Sequence, residues 1–467
     1  LSFSGELQAD EALQQGLRRD WALPVGGLFS QSAWSSAKTA ALGRARANGY
    51  PLARWGHTTA AVNAETNEAE LQLQLDSGPL FRLGALQIEG LKYYAPSTIE
   101  RLAGFAPGEP YSERLLQDFQ ERLQKTLLFD SVNVEIQPEA GEYRATPVLV
   151  RVREAPRQQA TTGIGYHANT GQRLTLEHVH RQPFGLALRS KTKLDLGRDL
   201  RAIELELSSH PQPDMARNLG ALQVEEDRSG DQVLTNLSAR LGRLRERGSD
   251  ERLIYAELLR AREVQAGNKV SSGAASLNTQ WIRRRLDSTL LPTDGHQALL
   301  LLGAGRADSS DARNGLFGKV HLKFGAYRPL GSNWYGNARL EWGQVFTSAE
   351  VGIPEKLLFR AGGDESVRGY AYRSLGPLRE GLAVGGRVLG TASLELARPL
   401  SPKLPAFWGA VFVDAGQAAD SWRDFKPAFG YGLGLRWRSP VGPLRIDIAR
   451  GEELKAWRLH FSVGIAL

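Results

Sequence analysis

Two periodicities divide this chain. Up to about residue 155, apolar positions recur at helical and at strand spacing in turn; beyond it, strand alternation takes over. Leu115, Leu116, Phe119, Leu123 and Leu127 share one face of a helix predicted from about Ser112 to Leu127. Ser97-Thr98-Ile99-Glu100 reads as a capping box, with Ser97 and Glu100 meeting free amides at a helix start. Phe81, Leu83 and Ala85 alternate, as do Val132, Val134 and Ile136, then Val148, Val150 and Val152. The predicted order is therefore strand, helix, helix, strand, strand. Much the same order precedes it. Leu13, Leu17 and Trp21 mark a helix, a second starts near Ser30 with Trp34, Ala37, Ala41 and Ala45, and strands follow near 53–62 and 69–75. Phe29-Ser30 aligns with Tyr111-Ser112, and Gly49-Tyr50 with Leu128-Phe129, a repeat of roughly 80 residues. The expected divisions are 1–78, 79–155 and 156–467.

From about Gln158 the chain reads as about sixteen alternating strands. The last alternates Trp457, Leu459, Phe461, Val463, Ile465 and Leu467 with Arg458, His460, Ser462 and Gly464. Such a pattern suits a sheet with one apolar face. In a sandwich that face meets a second sheet; in a barrel it meets lipid while the polar face lines a lumen. Turn chemistry favours the barrel. Links after even strands are short and rich in Pro or Gly: Gln182-Pro183-Phe184-Gly185, His210-Pro211-Gln212-Pro213, Pro329-Leu330-Gly331 and Ser439-Pro440-Val441-Gly442-Pro443. Links after odd strands vary more. The longest, from about Thr347 to Val384, exceeds a simple hairpin loop, and loops of that length usually carry function.

Composition narrows the classes. The chain has 467 residues, 50 Gly, one Met and no Cys, which excludes disulfides, thiolate metal sites and a cysteine nucleophile. No run of about eighteen apolar residues exists, so a membrane helix is not expected. The net charge of +7 is spread among apolar positions, which argues against nucleic-acid binding. The sequence opens at Leu1 without a basic-then-apolar leader, so for an exported protein the signal peptide is absent from this sequence. His178 and His180, with Glu177, share a strand; without an evident third ligand they are expected to line a lumen. No serine triad and no phosphate-binding glycine loop stand out, and neither an enzyme nor a cofactor is expected.

Four stretches carry a resemblance. Val367-Arg368-Gly369-Tyr370 lies in the longest link. Phe412-Val413-Asp414-Ala415-Gly416 matches a Phe-x-Asp-x-Gly strand. Arg436 to Asp447 looks like a penultimate hairpin, and Gly163-Ile164-Gly165-Tyr166 with Asn169-Thr170-Gly171 like a first hairpin. Together they resemble the BamA/TamA superfamily of outer-membrane assembly factors, with the first hairpin closest to the TamA branch. The resemblance implies α+β tandem POTRA modules in the periplasm, followed by a 16-stranded antiparallel transmembrane β-barrel. It implies a role in inserting or exporting outer-membrane proteins such as autotransporters, a TamB-like partner, and a link that folds back into the lumen. A two-partner secretion transporter and a passive porin-like channel are the alternatives.

The residues then supply detail. Arg368 in a confined lumen needs an anionic partner. Strand parity turns Asp414 inward with Phe412 and Gly416, and Glu395 inward with Leu389, Thr391 and Ser393. Val388, Leu394, Leu396, Val411 and Val413 then face lipid. The family pattern favours Asp414 as the partner. Gly369 allows a tight turn. Gly163 and Gly165 in the first strand and Gly464 in the last, beside Phe461, weaken the closing seam, which implies lateral opening.

Overall fold

The computed structural model describes residues 1–139, 141–167, 171–229, 232–265, 267–289, 291–379, 381–439 and 442–466. Asn169, Thr170, Pro440, Val441 and Leu467, named above, lie outside the described residues. The chain divides into two compact units, Leu1–Pro156 and Arg157–Leu467.

The first unit holds two modules of one topology. In the first, β1 (Ser2–Ser4), α1 (Glu11–Arg19), α2 (Gln31–Ala47), β2 (Arg54–Asn63) and β3 (Glu68–Asp76) form a sheet of order β1-β3-β2. In the second, β4 (Leu83–Glu89), α3 (Ser97–Glu100), α4 (Glu113–Lys125), β5 (Phe129–Ile136) and β6 (Thr146–Glu154) give β4-β6-β5. In each, the first strand runs parallel to the central one and the middle strand antiparallel. The three-residue β1 was not anticipated: only Phe3 is apolar and buried, too little for an alternation to show.

Local chemistry sets the helix ends. Asp10 caps α1 by accepting from Leu13 N–H at 2.9 Å, and Ser30 caps α2 by accepting from Ala33 N–H at 3.2 Å. The expected capping box is not formed. Ser97 lies inside α3, Pro96 takes the N-cap position, and no side chain caps the helix. Pro96 already has helical backbone angles, so the helix starts one residue too early for Ser97 to cap it. The alternation of Phe81, Leu83 and Ala85 also fails at its third member. A register shift between Leu83 and Leu86 leaves Ala85 exposed and Leu86 and Ile88 half-buried. The repeat alignment holds at the helix starts but slips at the next strand, which begins at Arg54 in one module and Phe129 in the other.

The second unit is a closed barrel of sixteen strands in sequence order. They are β7 (Gln158–His167), β8 (Gly171–His180), β9 (Leu188–Gly197), β10 (Leu200–Ser209), β11 (Ala216–Ser229), β12 (Gln232–Arg247), β13 (Asp250–Gln265) and β14 (Asn268–Leu286). After these come β15 (Gly295–Ser309), β16 (Gly315–Pro329) and β17 (Tyr335–Phe346). A two-stranded hairpin, β18 (Leu378–Arg379) with β19 (Leu382–Ala383), lies in the long link. The wall resumes with β20 (Val388–Pro399), β21 (Phe407–Ala419), β22 (Ala428–Ser439), β23 (Gly442–Gly451) and β24 (Ala456–Ala466). All neighbours in the wall are antiparallel, and pairing of β24 with β7 closes the ring. Among the described residues no helix is long and apolar enough to cross a membrane, which says nothing about a β-barrel.

Side-chain alternation follows the wall. Leu394, Val411, Val413 and Leu433 stand exposed on the outer face. Ser393, Asp414 and Asp447 on the other face are buried. One outward and one inward assignment need correcting. Val388 is 3 % exposed, and its outward neighbour Gly390 lies beneath Phe425 and Trp422. Trp422 belongs to the β21–β22 link, stacks on Trp342 at 6.0 Å and donates its indole N–H to Gln344. That link therefore covers part of the outer wall. His178 and His180 share the face of the exposed Leu176, while Glu177 pairs with Lys191 on the opposite face. They point outward, and the lumen expectation was wrong because Leu174 and Leu176 set the parity of β8. His178 meets Gln158, and His180 Nδ1 accepts from Gln182 N–H. Among the described residues no group of three or more His, Asp or Glu is arranged to hold a metal.

Candidate functional site: the lumen loop and the barrel seam

The link 347–387 between β17 and β20 turns into the barrel, because its apolar residues find their partners on the inner wall. Val351, Phe359 and Ala361 pack with Leu259, Phe317, Val345 and Leu389 in one buried cluster. Val367 and Tyr370 are buried with Ala428 in another, and Leu375 packs against both.

Arg368 is 2 % exposed, and Asp414, which faces it, is fully buried. Its Nε donates to Asp414 Oδ2 at 2.7 Å, its Nη2 to Oδ1 at 2.9 Å, and its backbone N–H to Oδ2 at 3.0 Å. Nη1 donates to Glu395 Oε2 at 2.9 Å and to Asp447 Oδ2 at 3.3 Å. The guanidinium lies 3.3 Å from the centre of the Phe412 ring. A second arginine, Arg436 on β22, donates to Glu395 at 2.8 Å and to Asp447 at 2.5 Å. Two arginines thus share three carboxylates, and every charge has a partner within hydrogen-bond reach. A lone buried arginine would be costly, whereas this bidentate network satisfies it.

Glycines let the loop come this close. At Gly369 φ is +94°, and a Cβ there would lie 2.6 Å from the Gly451 nitrogen. On β22, a Cβ at Gly430 would collide with the carbonyl of Arg368. Tyr370 donates its hydroxyl to Phe429 O at 3.3 Å and accepts from Glu453 N–H at 3.3 Å.

The loop also reaches the wall eight strands round. Lys356 pairs with Glu225 and Arg373 with Asp227, both carboxylates on β11. Arg360 donates to Gln232 on β12 at 2.8 Å and pairs with Glu355 within the loop. Lys319 on β16 donates to Leu357 O at 2.8 Å.

The seam joins β24 to β7. Residues 462–466 pair with 163–167, and among the described residues no further pair joins the two strands. By contrast β12 and β13 pair along their whole lengths, from Gln232 opposite Gln265 to Arg247 opposite Asp250. In the seam Gly165 faces Gly464, and Gly163 faces Ala466. These positions share the inner face with the lumen residue His460, so two of the three inner pairs offer no side chain beyond a methyl group. The outer side holds Ile164 and Tyr166, with the Tyr166 ring 5.7 Å from Phe461.

Of the residues singled out in the sequence, the structure brings Val367, Arg368, Gly369, Tyr370, Glu395 and Asp414 into one cluster. It puts Gly163, Gly165, Phe461 and Gly464 at the seam. It adds Asp447, Arg436, Asp364 and His460. Asp447 and Arg436 end and begin the hairpin stretch that carried the resemblance, and their inward parity was the signal available. His460 stands on the polar side of the last strand's alternation, but no local pattern pairs it with Asp364, which it meets across a separation of 96 residues.

Comparison with known proteins accords with this architecture. Residues 158–467 match the model of the Omp85 superfamily domain, and residues 81–155 match a POTRA model described as a surface antigen variable number repeat. The chain is 24% identical over 456 residues to the outer membrane protein assembly factor BamA of Nitratidesulfovibrio vulgaris, covering 88% of this chain and 55% of that one. It is 36% identical over 118 residues to the chloroplastic outer envelope protein 80 of Arabidopsis thaliana, covering 23% and 14% respectively. The chain thus spans about half the length of the first of these relatives and less of the second. Among solved structures, BamA from Haemophilus ducreyi lacking POTRA domains 1–3 aligns with a TM-score of 0.78 at 19% identity, covering 100% of this chain and 98% of that one. CdiB from Acinetobacter baumannii aligns at 0.55 and 14%, covering 100% and 89%. With two thirds of its length matched by the family model, a POTRA domain before it and a sixteen-stranded barrel bearing the loop, this chain belongs to the Omp85 superfamily, and its barrel resides in the outer membrane with the POTRA side in the periplasm.

Proposed function

We propose that this chain inserts or exports outer-membrane proteins, with autotransporters among its clients, through POTRA docking and lateral opening of the barrel at the β7–β24 seam. The seam carries this reading: among the described residues its five-residue pairing, with Gly163, Gly165 and Gly464 on the inner face, is the shortest in a wall otherwise paired over longer stretches. A client strand added there gains backbone hydrogen bonds as it folds, and that gain drives the step without a cofactor. The modules present exposed strand edges, β2 and β5, for extended client segments or a TamB-like partner. The naming of a 24% identical relative as an outer membrane protein assembly factor supports the same role.

Depletion of the protein followed by a census of outer-membrane proteins tests it. Loss of several barrel proteins, autotransporters included, is expected; an unchanged census refutes the proposal. The second reading is a two-partner secretion transporter, favoured by the fold shared with CdiB from Acinetobacter baumannii and from Escherichia coli. In that case a single secreted client falls and the rest of the census stands.

A further inference from the structure

We infer that His460 is the positioning residue through which the lumen loop holds the seam strand, so that the state of the loop sets the strength of the β7–β24 join. This rests on the proposed lateral opening and deepens it.

His460 lies on β24, two residues before the first seam-paired position, Ser462. It is 2 % exposed and points into the lumen. Both of its ring nitrogens meet the loop rather than the wall. Nε2 accepts the backbone N–H of Gly369 at 2.9 Å, and Nδ1 meets Asp364 Oδ1. The first contact fixes the tautomer: Nε2 has to be the bare nitrogen, so the proton sits on Nδ1 and is donated to the Asp364 carboxylate.

Gly369 follows Arg368 directly. The residue that anchors the loop to β21 is therefore one peptide bond away from the amide that grips β24. Within the described part of the seam, the inner face offers little else to hold β24 in place. Gly165 faces Gly464 and Gly163 faces Ala466, so at two of the three inner pairs neither strand carries a side chain larger than a methyl group; the third is Ser462 opposite His167. A loop seated on Asp414 thus holds β24 in register from inside the barrel. A loop lifted from Asp414 withdraws Gly369 and leaves the seam to its own backbone bonds. The outer contact, Tyr166 with Phe461, faces lipid and cannot report the loop.

The test uses the full chain in lipid nanodiscs and reads amide hydrogen exchange of residues 163–166 and 462–466. His460→Ala is expected to speed exchange at the seam about tenfold, on the scale of one lost buried hydrogen bond, while exchange elsewhere in the barrel stays put. His460→Gln, whose amide offers one acceptor to Gly369 and one donor to Asp364, is expected to restore slow exchange. Asp364→Ala, made on the loop side, is expected to shift the seam in the same direction and keeps the test open should His460→Ala fail to fold. Seam exchange within twofold of wild type in both alanine variants overturns the inference, as does a rise spread evenly round the barrel. The readout needs no client. A faster seam with unchanged client assembly leaves the coupling standing and sinks the proposed function instead.

Discussion

Asp414 receives three hydrogen bonds from one residue: the backbone N–H, Nε and Nη2 of Arg368 all lie within 3.0 Å of its carboxylate. The loop is therefore latched through backbone and side chain at once. Arg368→Ala strands a fully buried carboxylate and should destabilise the docked loop by about 3–5 kcal/mol. Limited proteolysis of the link 347–387 and heat-modifiable gel mobility measure it; cutting at the wild-type rate would refute the latch. Arg368→Lys keeps the charge but loses the two-nitrogen fork, so an intermediate effect is expected.

Gly430→Ala makes a different demand on the same contact. The new methyl would occupy the space of the Arg368 carbonyl, and backbone on both sides gives it nowhere to go. The loop should detach although every charge of the network remains. Combined with Arg368→Ala it should add little, since both remove one docking event. Full additivity in a double-mutant cycle would show that the two residues act apart.

A cysteine pair at Gly165 and Gly464 places two thiols opposite each other across the seam. These 467 residues hold no cysteine, so any disulfide formed within them is this one. Oxidation is expected to abolish client assembly and reduction to restore it. Assembly that survives a fully formed bridge rules out lateral opening.

The first module carries a pH signature of its own. Burial, with the nearby carboxylates of Asp10 and Glu6 adding to it, pushes the Tyr50 phenol up to about 12. The neutral phenol is favoured in the fold, so this contribution is whole below about pH 10 and disappears as pH rises toward 12. Unfolding of the isolated unit 1–156, followed by circular dichroism, should show an alkaline loss of stability over that window, smaller in Tyr50→Phe. Identical alkaline profiles would remove Tyr50 from the account.

Much of this architecture was legible because a barrel wall states its parity along every strand. Alternation at Val411, Val413 and Leu394 turned Asp414 and Glu395 inward, where the structure has Arg368 between them. Parity failed where a strand end meets something other than lipid or lumen, as at Val388 beside the covered Gly390. For His178 the parity set by Leu174 and Leu176 gives the outward face, and the lumen expectation erred by following the polar pair alone. In the front unit the helical faces were plain, but β1 is too short for a period and Pro96 displaced the cap. The loop's bridges to β11 and the His460 contact join residues distant in sequence, and no local pattern encodes such a meeting.

Those bridges to β11 and β12 have a mechanical consequence. A loop fastened to β21 on one side and to β11 on the other is a strut across the bore, fixing the diameter along that line. A hoop braced in this way resists flattening along that line when a thinned or curved bilayer strains it. Under the proposed lateral opening, the lightly joined β7–β24 seam is then the place where membrane deformation would be taken up, as parting of one join rather than distortion of the whole wall.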